Sequence, residues 1–286
     1  MLSSVGKEES DLNSTTETRT GYLPFNGTEL YFETKGTGNP LLLIHAGVAD
    51  RRMWEQQFEE FSRSHFVIRC DLRGFGLTRN PPGDFAHHED IAALLRSLQV
   101  ESARVVGASF GGSVAIDFAI SHPGMVDALV LAAPALGGYD FASAAILDFF
   151  EAEEAAFERG DLDTATELNL RMWVDGFGRQ PGTVSPDIRE QVREMQFHIF
   201  LQAQQPGGNS KNLAPPAIDR LHEIAVPTLV LIGDHDAAEF LSIADLIARR
   251  IQNARLVTIP GAAHLPSMEK PGEFNRRVLE FLATLE

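Results

Sequence analysis

The chain has 286 residues, 44% of them hydrophobic, and a formal net charge of −16 from 40 acidic against 24 basic side chains. That length suits one large domain or a core with a sizeable insertion, and the negative charge disfavours nucleic acid and anionic membranes as partners. One cysteine, Cys70, excludes an intramolecular disulfide and a thiolate metal cluster.

No stretch approaches the roughly 20 apolar residues of a membrane-spanning helix. The start of the chain, Met1-Leu2-Ser3-Ser4-Val5-Gly6-Lys7, lacks the apolar run of a secretory signal. A cytoplasmic location is the expectation. Residues 1–18 are rich in Ser, Thr, Glu and Asp, which predicts a mobile tail, placed at 1–20.

A hairpin follows, with Asn26-Gly27 as the turn between Gly21–Phe25 and Leu30–Glu33. Beyond Pro40 come short, continuous apolar runs: Leu41–Ile44, Phe66–Ile68, Arg104–Val106, Ala128–Leu131, Thr228–Ile232 and Leu256–Ile259. Runs of this kind predict parallel strands buried on both faces. The segments between them show helical periodicity. After Asp236, residues Phe240, Ile243, Ala244, Ile247 and Ile251 share a face, and near the end Phe274, Val278, Phe281 and Leu285 share another. Alternating strands and helices predict a doubly wound, mostly parallel α/β sheet.

From about Ala135 to Glu223 no strand pattern occurs, so this segment is read as an inserted helical cap. The expected division is a core of 21–134 and 224–286 with a cap at 135–223. Residues 140–175 carry ten Asp or Glu against two Arg, a net −8, which is read as a solvated helix face.

The chemistry centres on Gly107-Ala108-Ser109-Phe110-Gly111. The pattern G-x-S-x-G, after a strand and before a helix, holds its serine on a sharp turn, and the small flanking residues admit close backbone approach. The helix N-terminus beside it favours developing negative charge. A serine hydroxyl needs an oriented base. His264, in the loop between the last strand and the last helix, is that candidate. His87 and His88 are adjacent but have no matching ligand cluster, so they are taken as surface histidines and no metal is expected. The acid should lie between Ser109 and His264 in the chain. Leu231-Ile232-Gly233-Asp234-His235-Asp236 offers Asp236 first and Asp234 second, with Asp140 as a more distant choice. The backbone N–H groups of Phe110 and Gly47 are the expected oxyanion donors, and His45 is expected to brace the Gly47 loop.

Taken together, these motifs resemble the α/β-hydrolase superfamily, within the group that has an N-terminal hairpin and a helical cap. His45-Ala46-Gly47 with Trp54 is similar to the H-G-x…W signature, although Ala46 replaces the usual glycine. Asp71–Gly76 is similar to the D-x-R-G-x-G loop, Gly107–Gly111 to the nucleophile elbow, and Gly233–Asp236 to the G-x-x-D acid loop. The resemblance implies an α/β-hydrolase fold and a Ser109–His264–Asp236 triad. It disfavours haloalkane dehalogenases and epoxide hydrolases, which place aspartate at the nucleophile. The expected function is hydrolysis of a small carboxylic ester or lactone, with no cofactor. A ligand-sensing signalling protein of the same fold and a carbon–carbon bond hydrolase remain alternatives. The cap would roof the pocket and select the substrate, lined by Met172, Trp173, Phe177, Met195 and Phe197. Oligomeric state has no sequence signal.

Overall fold

A computed structural model describes residues 17–180 and 182–286. The elements in chain order are β1 (Arg19–Phe25), β2 (Thr28–Lys35), β3 (Asn39–Ile44), α1 (Glu55–Phe61), β4 (His65–Cys70), β5 (Asp84–Phe85), α2 (His87–Ser97), β6 (Ala103–Ala108), α3 (Phe110–Ser121) and β7 (Val126–Ala132). After these come α4 (Ala144–Glu158), α5 (Leu162–Asn169), α6 (Pro186–Ala203), β8 (Asn209–Ser210), α7 (Ala217–Arg220), β9 (Thr228–Gly233), α8 (Ala238–Arg250), β10 (Ala254–Ile259), α9 (Pro266–Glu269) and α10 (Pro271–Ala283). Residues 1–16 of the expected tail lie outside the described residues. Arg19 and Thr20, also assigned to the tail, belong to β1.

Eight strands form one sheet in the order β1-β2-β4-β3-β6-β7-β9-β10. β1 and β2 are antiparallel to their neighbours, and the remaining pairs are parallel. The turn between β1 and β2 uses Asn26 and Gly27 with φ of 45° and 80°. A two-residue hairpin needs positive φ at both positions to match strand twist, and Asn and Gly reach it with least strain. Every residue of β6 and β9 is buried. Successive side chains point to opposite faces, so both faces of these strands are covered.

β10 departs from the expectation of burial on both faces. It pairs only with β9 and forms the sheet edge, which leaves Leu256 39% exposed. An apolar run of four residues does not reveal whether a second neighbour will be present. The helical stripes pack as their periodicity predicts: Phe240, Ile243, Ala244 and Ile247 of α8 are buried, as are Phe274, Val278 and Phe281 of α10. α1 packs on α10, with Trp54 just before α1 meeting Phe274 of α10 at 6.0 Å between ring centroids, while α2 packs on α3.

Between β7 and β9 the chain forms α4, α5, a π-helical turn at Leu170–Asp175, α6, β8 and α7. The two-residue β8, which pairs in parallel with β5, corrects the expectation of no strand in this segment. Ser143 and Asp161 cap α4 and α5 by accepting backbone N–H bonds from Ile146 and Thr164. Ala156, Leu162, Ala165 and Phe200 form a small core of their own among these helices. The acidic stretch is largely solvent-exposed, but Glu167 and Asp175 turn inward to Arg189 and Arg193 of α6. Burial raises the Glu167 carboxyl, and hydrogen bonds from Arg189, Arg193 and Arg171 outweigh it, holding the group at about 2. Those charges tie helix to helix. Among the described residues no helix is long and apolar enough to cross a membrane.

Candidate active site

Ser109 sits between β6 and α3 with φ 49° and ψ −114°. This is left-handed territory for a non-glycine residue, which costs roughly 1–3 kcal/mol and persists only where surroundings enforce it. They do so here. The Ser109 N–H donates to the Ala132 carbonyl at 2.9 Å, and its own carbonyl accepts from Gly112, Ser113 and Ala135.

The flanking glycines are required by the space available. A Cβ on Gly107 would overlap the Gly111 carbonyl oxygen, and one on Gly111 would overlap the carbonyl oxygens of Ile44 and His45. The start of α3 is therefore pressed against the end of β3. Gly111→Ala meets rigid main chain on that side and should lower the Tm by roughly 6 °C or more, measurable by calorimetry. An unchanged Tm would mean that β3 and α3 can separate without loss.

The imidazole of His264 lies over this turn. Its Nε2 is 2.8 Å from Ser109 Oγ, and its Nδ1 is 2.9 and 3.0 Å from the two oxygens of Asp236. A carboxylate only accepts, so Nδ1 carries the proton and Nε2 is free to accept from the Ser109 hydroxyl. Asp236 and His264 are both buried, and Asp236 also accepts the Ala237 N–H at 2.7 Å, just before α8. Asp234 is turned elsewhere: it is exposed and accepts the Gly261 N–H at 2.7 Å, which ties its turn to the loop after β10. Asp140 is exposed.

Gly47 abuts the elbow, since a Cβ there would lie 3.3 Å from Phe110 Cβ. Its loop is braced by His45, which donates from Nδ1 to the Ala46 carbonyl at 2.9 Å and accepts the Leu72 N–H at Nε2 at 3.0 Å. Full burial lowers the pKa of His45 against the pull of Asp71, in keeping with a neutral ring that donates at one nitrogen and accepts at the other.

His87 and His88 are not surface residues. Both are buried, because α2 turns its N-terminus into the protein. The His87 ring packs edge-on against Phe110 at 5.2 Å, and burial above all lowers its pKa to about 3. Among the described residues no three His, Cys, Asp or Glu side chains cluster as a metal site would require.

Of the five residues expected to line the pocket, Trp173 lies against His264, with ring centroids 4.7 Å apart. Met172 is half-buried beside it in the chain. Met195 is fully buried, with its sulfur accepting the Asp50 N–H at 3.4 Å, so that α6 touches the loop after β3. Two expectations need correction. Phe177 is 59% exposed on the turn between Gly176 and Gly178, and Phe197 packs into the small core among α4, α5 and α6. Aromatic residues serve any apolar interior, and composition does not say which one.

Sequence reasoning missed three contributors. Phe240 forms the other wall of His264, edge-on at 4.4 Å, and Phe149 meets Trp173 at 5.3 Å. Phe240 follows Asp236 by one helical turn, a spacing that could have flagged it. Glu269 accepts the Ala263 N–H and pairs with Arg179, a link with no local signal.

A strained serine within hydrogen-bond reach of a carboxylate-oriented imidazole can attack an electrophilic carbonyl carbon. Comparison with known proteins agrees with hydrolytic chemistry. The AB hydrolase superfamily protein YisY of Bacillus subtilis is 28% identical over 271 residues, covering 88% of this chain and 94% of that protein. The crystal structure of a hydrolase from Pseudomonas aeruginosa superposes with a TM-score of 0.75 at 28% identity, covering 92% of this chain and 98% of the other. Est816, an N-acyl homoserine lactone degrading enzyme, gives a TM-score of 0.72 at 25% identity, covering 91% and 99%. The sequence model of the alpha/beta hydrolase family matches residues 41–277. Most of the chain is thus accounted for by one family pattern laid over the eight-stranded sheet described above, and the protein belongs to the α/β hydrolase family.

Proposed function

We propose that this protein is a serine hydrolase that cleaves a small carboxylic ester or lactone through an acyl-enzyme intermediate. The observation that carries the proposal is the unbroken hydrogen-bond chain from Ser109 Oγ through His264 to Asp236, set on a backbone turn held at positive φ.

In this reading Ser109 Oγ attacks the carbonyl carbon while its proton passes to His264 Nε2. Asp236 stabilises the resulting imidazolium. The N–H groups of Phe110 and Gly47 receive the negative charge that develops on the carbonyl oxygen. The tetrahedral adduct collapses, His264 returns its proton to the departing alkoxide, and Ser109 is left as an ester. With a lactone, the alcohol stays attached to the acyl group. Water then gives a proton to Nε2 and attacks the acyl carbon, and release of the acid returns the proton to Ser109.

Trp173 and Phe240 enclose the imidazole with apolar surface, which strengthens the charge interactions within. The segment 135–223, with Trp173 on it, is proposed as a cap over the pocket. The degradation of N-acyl homoserine lactones by Est816 supports a lactone as one substrate class.

Labelling by a fluorophosphonate probe tests the nucleophile, and an ester and lactone panel tests the substrate class. The unsubstituted protein should be labelled stoichiometrically, and Ser109→Ala, folded as before, should not be labelled. Stoichiometric labelling of Ser109→Ala would move the nucleophile elsewhere.

A further inference from the structure

Two stretches of the inserted segment reach the loop that carries His264. Trp173 lies against the imidazole, and Arg179, six residues later, enters the interior beside the loop. Gly176 allows the chain to pass between them. It has φ +86°, and a Cβ there would come within 2.7 Å of Ala263 Cβ and 2.8 Å of Arg179 Cδ. The backbone of the inserted segment therefore crosses directly over the residue that precedes His264.

Arg179 Nη1 donates to Glu269 Oε2 at 2.8 Å, while Glu269 Oε1 accepts the Ala263 N–H, also at 2.8 Å. The two side chains are only 7% and 4% exposed. One carboxylate thus joins the inserted segment to the backbone next to the imidazole. Burial raises the Glu269 carboxyl, and the bonds from Arg179 and Ala263 oppose that effect. Withdrawing Arg179 would leave a buried carboxylate without its counter-charge, so the contact resists partial opening. Buried ion pairs contribute little net stability over apolar packing, and a role in fixing register is their best-attested use.

We propose that Arg179 is a positioning residue through which the seated inserted segment holds the His264 loop in register with Ser109. The inference rests on the triad reading above. Asp236 orients the ring of His264, Glu269 holds the backbone of the preceding Ala263, and only the inserted segment completes that second anchor. All three triad residues lie outside 135–223, and the expected part of that segment is to roof the pocket and select the substrate. Arg179 gives that segment a part in aligning the base.

The test uses the full chain and a fluorophosphonate, which reads activation of Ser109 with no natural substrate identified. The inactivation rate constant and the half-saturating probe concentration are measured separately for the unsubstituted protein, Arg179→Met, Arg179→Lys, Glu269→Gln and the Met/Gln double variant. Arg179→Met should lower the rate constant at least about tenfold while half-saturation changes less than about twofold, since misplacing a base slows reaction more than it weakens binding. The pair uses a single nitrogen, so Arg179→Lys should recover to within about threefold of the unsubstituted rate. The double variant should be no slower than Arg179→Met, because both changes break one contact.

An unchanged rate per labelled site in Arg179→Met, a loss confined to half-saturation, or a loss that Arg179→Lys does not rescue would overturn the proposal. Should Arg179→Met not fold, Glu269→Gln carries the test, because it keeps an acceptor for Ala263 while removing the charge. It should slow labelling at least about threefold, and no slowing would overturn the proposal. Labelling that persists in Ser109→Ala would remove the triad reading itself, so the two failures are distinguishable.

Discussion

Ser109→Ala, His264→Ala and the double variant should each lower kcat by a similar factor, on the order of 10⁶-fold, the size measured when a serine protease loses either residue. The reason is that the proposed mechanism makes the two side chains perform one act. Ser109 Oγ and His264 Nε2 are 2.8 Å apart, and the hydroxyl becomes a competent nucleophile only as its proton leaves for that nitrogen. Removing either partner abolishes the step, and removing the second takes away nothing further. The proposed oxyanion donors, the N–H groups of Phe110 and Gly47, would remain, so the crippled variants should still exceed the uncatalysed rate by about 10³–10⁴-fold. The measurement is kcat for the three folded variants on the best ester or lactone from the panel. If the losses multiply in the double variant, the residues act independently and the shared proton transfer is wrong.

Asp236→Asn should lower kcat by at least about 10²-fold, with Asp234→Asn changing it less than about threefold. An asparagine amide at position 236 can donate to Nδ1, which favours the tautomer with its proton on Nε2. That proton then points at Ser109 and the ring cannot accept. The substitution also removes the buried negative charge that offsets the imidazolium. Asp234 is exposed and bonds the Gly261 N–H, so asparagine keeps an acceptor there and the turn survives. Comparison of kcat for both folded variants decides between them, and the reverse ranking would transfer the acid role to Asp234.

The motif residues were legible because each answers a local physical demand. The elbow needs a residue held at positive φ between glycines that admit neighbouring backbone, so Gly107, Ser109 and Gly111 stand out without any tertiary knowledge. The Asn26-Gly27 turn is equally local. The His87-His88 pair shows the limit of such reasoning. Polarity suggested a solvated site, but α2 enters the protein at that end and both rings are buried against aromatic or imidazole neighbours.

Periodicity, turn chemistry and the order of the motifs determined the strand-and-helix alternation, the doubly wound sheet and the candidates Ser109, His264 and Asp236 or Asp234. These depend on contacts within a few residues, or on burial that repeats along an element. Tertiary structure set the contact between His264 and Asp236. Asp234 and Asp236 are two apart, and the sequence ranked Asp236 first only by its position in the turn and by resemblance to the G-x-x-D loop. The loop after β10 places Gly261 over one and His264 over the other. It likewise set β10 at the sheet edge, brought Trp173 and Phe240 to the imidazole while sending Phe197 into a separate core, and joined Arg179 to Glu269 across 90 residues. An apolar or charged side chain carries the tendency to be buried or paired but not the identity of its partner, which is settled only when distant segments are packed together.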